Sequence, residues 1–265
     1  ALAFPAVFVC LGHGQNAFLT TALLGGIFVA LDRDRPWLAG LLLGLLTYKP
    51  QFGILFPLVL IVGGYWRVFW GAGLGLLVSA GIATAMFGVD IWPIFLENSR
   101  WTREFILEQG PTGWEKICSV FSAFRMHGAS ISLAYAAQWL SASVAAIINI
   151  WFWWKRRASI EVRASALTLG VLLSTPYFLD YDLVVLAVPI AMMARLGMRD
   201  GWRDWEKTLL VALWFLPLLT RVIGATLTIP MTPLLLWWAM ALLVRRVRED
   251  AALLPASVPV RETGD

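Results

Sequence analysis

The sequence predicts an all-α, polytopic membrane protein of about ten transmembrane or partly spanning helices, and three observations predict it. Of the 265 residues, 59% are hydrophobic and only 14% charged, against an apolar share of roughly 45–50% in soluble chains. Mean hydropathy is +0.73. The apolar residues gather into runs that approach the length of a bilayer crossing, about 20 residues, divided by charged or Gly/Pro-bearing connections. Together these exclude a soluble globular domain. The net charge of +4 is a small excess whose meaning lies in its placement, and it does not point to a nucleic-acid partner.

In chain order the apolar runs are 1–11, 17–31, 36–47, 52–64, 68–87, 129–154, 164–178, 183–194, 208–229 and 231–244. The first opens Ala1-Leu2-Ala3-Phe4-Pro5 without an initiator Met or a basic n-region. It therefore reads as the tail of a span rather than a signal peptide, and the chain as a fragment with its N-terminal part missing. Runs 36–47 and 52–64 are short and meet at Tyr48-Lys49-Pro50-Gln51. Proline removes a backbone donor and disfavours the helical region for the residue before it. That predicts two short helices that break at Lys49 rather than one long helix.

With this break the connections alternate in charge. Segments 32–35, 65–67, 155–163, 195–207 and the C-terminus hold 15 of the 21 basic residues and ten of the 17 acidic ones. The positive-inside rule places them in the cytoplasm. Segments 12–16, 48–51, 88–128, 179–182 and the 220–232 region then lie outside, and nothing charged is expected deep in the cytoplasmic half. The domain reading is a multi-spanning unit over 1–248 with an outer loop at 88–128, followed by a polar, Pro-bearing tail over 249–265 expected to be disordered. In the loop, Ile117, Val120, Phe121 and Phe124 repeat at i, i+3, i+4 and i+7, the stripe of a helix lying in the interface. A second, weaker such helix is expected around Trp92, Phe95 and Leu96. Trp151, Trp153, Trp154, Trp202 and Trp205 read as anchors in an aromatic belt.

Strongly polar groups at membrane depth are costly and are kept for function or for mutual pairing. Four such groups fall on the outer side. Gly12-His13-Gly14-Gln15-Asn16 offers close backbone approach and three hydrogen-bonding side chains, or a polar turn with Asn16 as a helix N-cap. Lys49 at a helix break suits a phosphate or carboxylate, or snorkels to the interface. Asp180 and Asp182, in Thr175-Pro176-Tyr177-Phe178-Leu179-Asp180-Tyr181-Asp182, could accept a hydroxyl proton or bind sugar hydroxyls, while Asp182 could cap the helix starting at Leu183. In an extended segment the two carboxylates would point the same way, and on a helix they would diverge. Arg221, inside the apolar run 208–229, needs a counter-ion, for which Asp180 and Asp182 are candidates. Cys10 and Cys118 form neither a metal-ligand spacing nor a disulfide framework, and no zinc, phosphate-loop or nucleophile-elbow pattern is present.

At Gly14-Gln15-Asn16, Leu23-Leu24-Gly25-Gly26, Asp32-Arg33-Asp34-Arg35-Pro36, Ala39-Gly40-Leu41-Leu42-Leu43-Gly44 and Tyr48-Lys49-Pro50-Gln51, the sequence resembles glycosyltransferase family 87. Ser174-Thr175-Pro176-Tyr177 and Tyr181-Asp182-Leu183 extend the likeness. The resemblance implies a C-type glycosyltransferase-like fold and transfer of a hexose, mannose in the first place, from a polyprenyl-phosphate donor to a lipid or glycan acceptor. The reaction would take place on the outer face of the plasma membrane, with no cofactor beyond the donor and the metal requirement open. Position by position, it implies that Lys49 holds the donor phosphate, that Gln15, Asn16 and Gln51 line the same cavity and that Tyr181 belongs to the late outer-face motif; the reading of the residues adds His13 and Tyr48 to the substrate cavity and Arg221 to the phosphate. The resemblance also implies a catalytic carboxylate upstream of Ala1, for which Asp182 or Asp180 would otherwise substitute. The competing class is a transporter or flippase for a lipid-linked or anionic substrate, since helices broken at Pro50 and Pro176 also suit a substrate pathway.

Overall fold

A computed structural model describes residues 3–154 and 158–253. Its α-helices are α1 (Pro5–Gly12), α2 (Ala17–Asp32), α3 (Pro36–Leu45), α4 (Phe56–Val62), α5 (Trp66–Phe87), α6 (Ile91–Trp101), α7 (Val120–Met126), α8 (Ile131–Trp153), α9 (Ile160–Ser174), α10 (Ala187–Asp200), α11 (Glu206–Leu227) and α12 (Met231–Leu253). Tight 3-10 turns at Leu46–Tyr48, Pro50–Gly53, Trp114–Lys116 and Asp180–Leu186, and a π-helical segment at Thr102–Gln109, link them. No strand forms among the described residues, and a single isolated antiparallel bridge joins Ile117 to Leu179.

The centre of the bundle is α9. Every residue from Glu161 to Ser174 is buried, and the helix is walled by α2, α8, α10 and α12 and by the turn at Pro50–Gly53. A helix covered all round needs partners for its exposed terminal carbonyls, and α8 supplies them. Gln138 Nε2 and Ser141 Oγ donate to the carbonyl of Leu173 at 2.9 and 3.0 Å, while Gln138 Oε1 accepts from the N–H of Phe121 at the start of α7. Further along α8, Asn149 Nδ2 donates to the carbonyl of Ala166. The helix stops because Pro176 has no N–H to continue it, and the chain then turns through Thr175–Leu179 toward the site.

A second constraint comes from four glycines. α3 and α5 run parallel and cross at Gly40 and Gly44 against Gly71 and Gly75. A Cβ added at Gly40 would lie 2.5 Å from the carbonyl oxygen of Val68, and one at Gly44 would lie 2.5 Å from the Cα of Gly75. Small residues spaced by four let two backbones touch where no hydrophobic force separates helix from lipid. The register leaves α5 twelve residues beyond Gly75 but the hairpin tip, Lys49, only five beyond Gly44, so the tip sits recessed below the end of α5.

Contacts sort the connections into two ends, as the charge alternation predicts. At one end Arg195 pairs with Asp32 and Glu161, Arg199 with Glu161, Arg203 with Glu249 and Asp250, and Arg163 with the hydroxyl of Tyr65. At the other end lie His13–Asn16, Lys49, the 88–128 segment, Thr175–Asp182 and Arg221. The tripeptide Lys155-Arg156-Arg157 and residues 254–265 lie outside the described residues.

Several expectations are corrected. Among the described residues, four helical stretches are long and apolar enough to cross a membrane, Trp66–Phe87, Ile131–Trp153, Asp180–Asp200 and Glu206–Leu227. Apolar helices at Ala17–Asp32, Pro36–Tyr48 and Pro50–Val62 are shorter, so among the described residues the expected set of about ten transmembrane or partly spanning helices contains only four of full spanning length. At the arginine-rich end Glu161, Glu206 and Arg246 are buried among the helix ends, tolerated because each is paired, Arg246 Nη1 lying 2.8 Å from both oxygens of Glu206. Trp153 is no belt anchor. It is fully buried, edge-on to Tyr65 and under the guanidinium of Arg163. The helix beginning near Ile117 is α7, which starts at Val120 under a Ser119 cap; its Phe121 is buried against Tyr135 rather than lying in an interface. The exposed amphipathic helix is instead α6, none of whose residues is buried. Finally, α12 continues to Leu253, into the segment expected as a tail.

The glycine crossing yields a direct prediction. Gly44→Leu forces α3 from α5 and costs at least the roughly 1–3 kcal/mol of ordinary overpacking, read as a lowered midpoint of thermal unfolding in detergent. Gly73→Ala, on α5 but facing open space, leaves the midpoint unchanged or raises it, because Ala is the better helix former by about 1 kcal/mol.

Candidate active site

The site is built where the tip of the α3–α4 hairpin meets the chain leaving α9. Lys49 has an extended backbone, φ −127° and ψ 76°, between its two 3-10 turns, as the following proline requires. Its Nζ lies 2.8 Å from Asp182 Oδ1, with side-chain exposures of 16% and 3%. The other oxygen of Asp182 accepts the N–H of Leu179 at 3.2 Å. Asp182 thus reaches back to stiffen the turn that carries it, and the regular helix begins at Ala187 rather than Leu183. The ammonium also lies 5.6 Å from the ring centroid of Tyr181 and 5.8 Å from that of Phe52, inside cation–π range.

A 3-10 turn sends Asp180 and Asp182 in different directions. Asp180 Oδ1 accepts the N–H of Tyr181 at 2.9 Å, and its Oδ2 lies 3.9 Å from Arg221 Nη1 on α11. Arg221 therefore has the counter-ion expected for it, but it does not join Lys49. Tyr181 touches both halves: its ring centroid lies 5.6 Å from that of His13 and 5.6 Å from the ammonium of Lys49.

Two cavities follow from this division. The larger, of about 810 Å³, is lined by Tyr48, Lys49 and Gln51, by Thr175-Pro176-Tyr177, by Phe95, Asn98 and Ser99 of α6, by Arg103 and Glu108 of the π-helical segment, and by Tyr135 and Trp139 of α8. A smaller recess, of about 330 Å³, is lined by His13, Asp180 and Arg221 with apolar residues of α1 and α11. Of the residues predicted to share one pocket, Lys49, Tyr48 and Gln51 line the large cavity, and Tyr48 is held there by hydrogen bonds to the hydroxyl of Thr20 at 2.5 Å and the carbonyl of Asn16 at 3.4 Å. Gln15 and Asn16 are exposed and line neither cavity. Asn16 stands before α2 without capping it through its side chain. Two role assignments change accordingly: Arg221 is not beside Lys49 as a second ligand of one phosphate, and Asp182 is buried behind the lysine instead of facing the large cavity.

Sequence reasoning missed Glu108, Arg103 and Tyr135. Tyr135 donates its hydroxyl to Glu108 Oε1 at 2.8 Å, and Arg103 Nε lies 3.8 Å from the same oxygen. The π-helical stretch that carries Glu108 is a geometry that recurs at functional sites, and it has no simple sequence signature. The signal that existed was a group of five acids, Asp90, Glu97, Glu104, Glu108 and Glu115, in the long loop. The loop is tied to the site by the N–H of Cys118, which donates to the carbonyl of Phe178 at 3.0 Å. Burial pushes the Cys118 thiol up, which disfavours the thiolate, the nucleophilic form.

A cation and an oriented carboxylate thus face one cavity with tyrosine and tryptophan walls, at the end of a bundle of apolar helices. The family profile of glycosyltransferase family 87 matches residues 1–176, a stretch that includes Lys49, Arg103, Glu108, Tyr135 and the end of α9. The chain belongs to glycosyltransferase family 87. It is a membrane glycosyltransferase by family and by its apolar helices. Neither a curated protein nor a solved structure matches it. In this family 87 protein the matched segment ends at Pro176, just before the turn that supplies Asp180 and Asp182.

The Lys49–Asp182 pair is open to a double-mutant cycle. Lys49→Met and Asp182→Asn each strand a buried partner and destabilise the protein, whereas the double variant loses less than the sum, with a coupling of roughly 0.5–3 kcal/mol. Chemical unfolding in detergent micelles measures it, and additivity would show that the two groups do not interact.

Proposed function

We propose that the protein transfers a hexose, mannose in the first place, from a polyprenyl-phosphate donor to a lipid or glycan acceptor on the outer face of the cell membrane. The observation that carries this reading is the single cavity that gathers Lys49 and Glu108. Its volume is in the range of small-molecule sites, enough for a sugar phosphate. Charge placement supports the orientation: the arginine-rich end, with the C-terminus, faces the cytoplasm, which puts the cavity on the outer side. Exposed apolar residues of α5 and α8, among them Trp70, Leu77, Leu140 and Ile147, would face lipid and give a polyprenyl chain a route alongside the cavity.

The reaction is a direct displacement. The acceptor oxygen bonds to the anomeric carbon, the bond from that carbon to the phosphate oxygen breaks, and the lipid phosphate leaves with the electron pair. Lys49 meets the negative charge that develops on the departing phosphate, and its worth is largest in a water-poor cavity. Asp182 acts through Lys49: it holds the ammonium in place before the donor binds. Glu108, with one oxygen fixed by Tyr135, is the carboxylate that the described residues bring to the cavity for a substrate hydroxyl and its proton. Aromatic faces at Tyr177 and Trp139 suit the apolar side of a sugar ring.

The test uses the purified full-length protein, radiolabelled polyprenyl-phosphate mannose and a membrane lipid extract. Labelled lipid product is expected. Lys49→Ala lowers turnover by about a hundredfold or more, as for loss of one preorganised partner of developing negative charge, and Glu108→Gln lowers it with donor binding retained. A folded Lys49→Ala protein with full turnover would overturn the assignment. Absence of transfer from mannose but not from another lipid-linked hexose would move the donor, and absence from all would return weight to a transporter.

A further inference from the structure

The smaller recess has a chemistry of its own. Arg221 lies on α11 within an apolar run, and among the described residues its one ionic partner is Asp180 at 3.9 Å, a carboxylate already engaged by the N–H of Tyr181. A guanidinium carries five N–H donors, so most of its hydrogen-bonding capacity is unspent, and its side chain is 45% exposed. An arginine left so at membrane depth is costly unless it finds an acceptor. Arg221 is six residues before the end of α11, about 9 Å along the helix axis, a depth at which lipid headgroups are within reach of a long side chain. The imidazole of His13 lines the same recess. Around these polar groups the rim is apolar, with Phe8, Leu218 and Val222 all exposed.

We propose that this recess binds the phosphodiester headgroup of an anionic glycerophospholipid. Arg221 takes the phosphate oxygens through its planar fork, the ring of His13, its Nδ1 held by the carbonyl of Val9 at 2.9 Å, forms one wall, and an acyl chain runs over Phe8, Leu218 and Val222. The charge complementarity selects a lipid phosphate over an apolar helix as occupant, since a helix laid over the recess would bury the guanidinium with most of its N–H donors unmet and Asp180 only at 3.9 Å. Asp180 keeps the fork aimed into the recess and contributes no contact to the phosphate. The site is separate from the Lys49 cavity, with Tyr181 between them, and the inference does not rest on the transferase reading.

Native mass spectrometry of the delipidated full chain, incubated with phosphatidylglycerol or with phosphatidylcholine, tests it. One phosphatidylglycerol retained per chain in preference to phosphatidylcholine is expected, with retention reduced by an order of magnitude or more in Arg221→Gln. Should that variant fail to fold, Val222→Trp reads the same site, because it fills the rim from an exposed position and leaves the ion pair intact; it too should shed the lipid. Undiminished retention in a folded variant overturns the proposal. Release of the lipid by millimolar inorganic phosphate would show that the site takes free phosphate and would overturn the lipid assignment. Lys49→Ala measured in parallel separates the two readings: it should stop transfer and leave this lipid bound.

Discussion

The contact between Lys49 and Asp182 holds the site in one piece. It joins the tip of a short helical hairpin to a turn 133 residues further on, and both partners are largely removed from water. A buried pair of this kind gains little net stability, because desolvation offsets most of the Coulomb attraction. Its value is positional. Without a fixed carboxylate the ammonium would turn toward water along its flexible stem, and the cavity would lose the cation that faces it.

That contact is possible only because two packing constraints bring its partners together. The contact between Gly40 and Gly44 on α3 and Gly71 and Gly75 on α5 sets how far the hairpin rises beside α5, and therefore the depth of Lys49. Burial of α9 on all sides, with its last carbonyls taken by Gln138 and Ser141, sets where the chain emerges at Thr175. The bridge between Ile117 and Leu179 then pins the loop that brings α6 and the π-helical segment over the opening. Apolar packing and small residues thus position a few polar groups.

Dividing the polar residues between two cavities separates two kinds of charge. Lys49 is a compact ammonium beside aromatic rings in a large cavity that also holds Glu108. Arg221 is a planar fork at the edge of an apolar face, its single carboxylate at the limit of ion-pair distance. A point charge suits a phosphate whose charge changes during a reaction, whereas a fork suits a headgroup held in one orientation. A 3-10 turn makes the division, because residues two apart on it cannot point the same way.

Much of the fold was legible in the sequence because it follows from local physics. Hydropathy determined that the chain is a bundle of apolar helices, Pro50 and Pro176 determined where two of them stop, and the spacing of arginines determined which connections share an end. The same local reasoning singled out Lys49, Asp182, Asp180 and Arg221 as polar groups that must find partners. Which partner each finds was decided by the tertiary structure. Pairing of Lys49 with Asp182, the assignment of Arg221 to a separate recess, the burial of Trp153 and Phe121 and the presence of Glu108 in the large cavity all join residues far apart in sequence. Such contacts depend on how whole helices pack, and a helix's own residues specify its apolar face without specifying what will cover it.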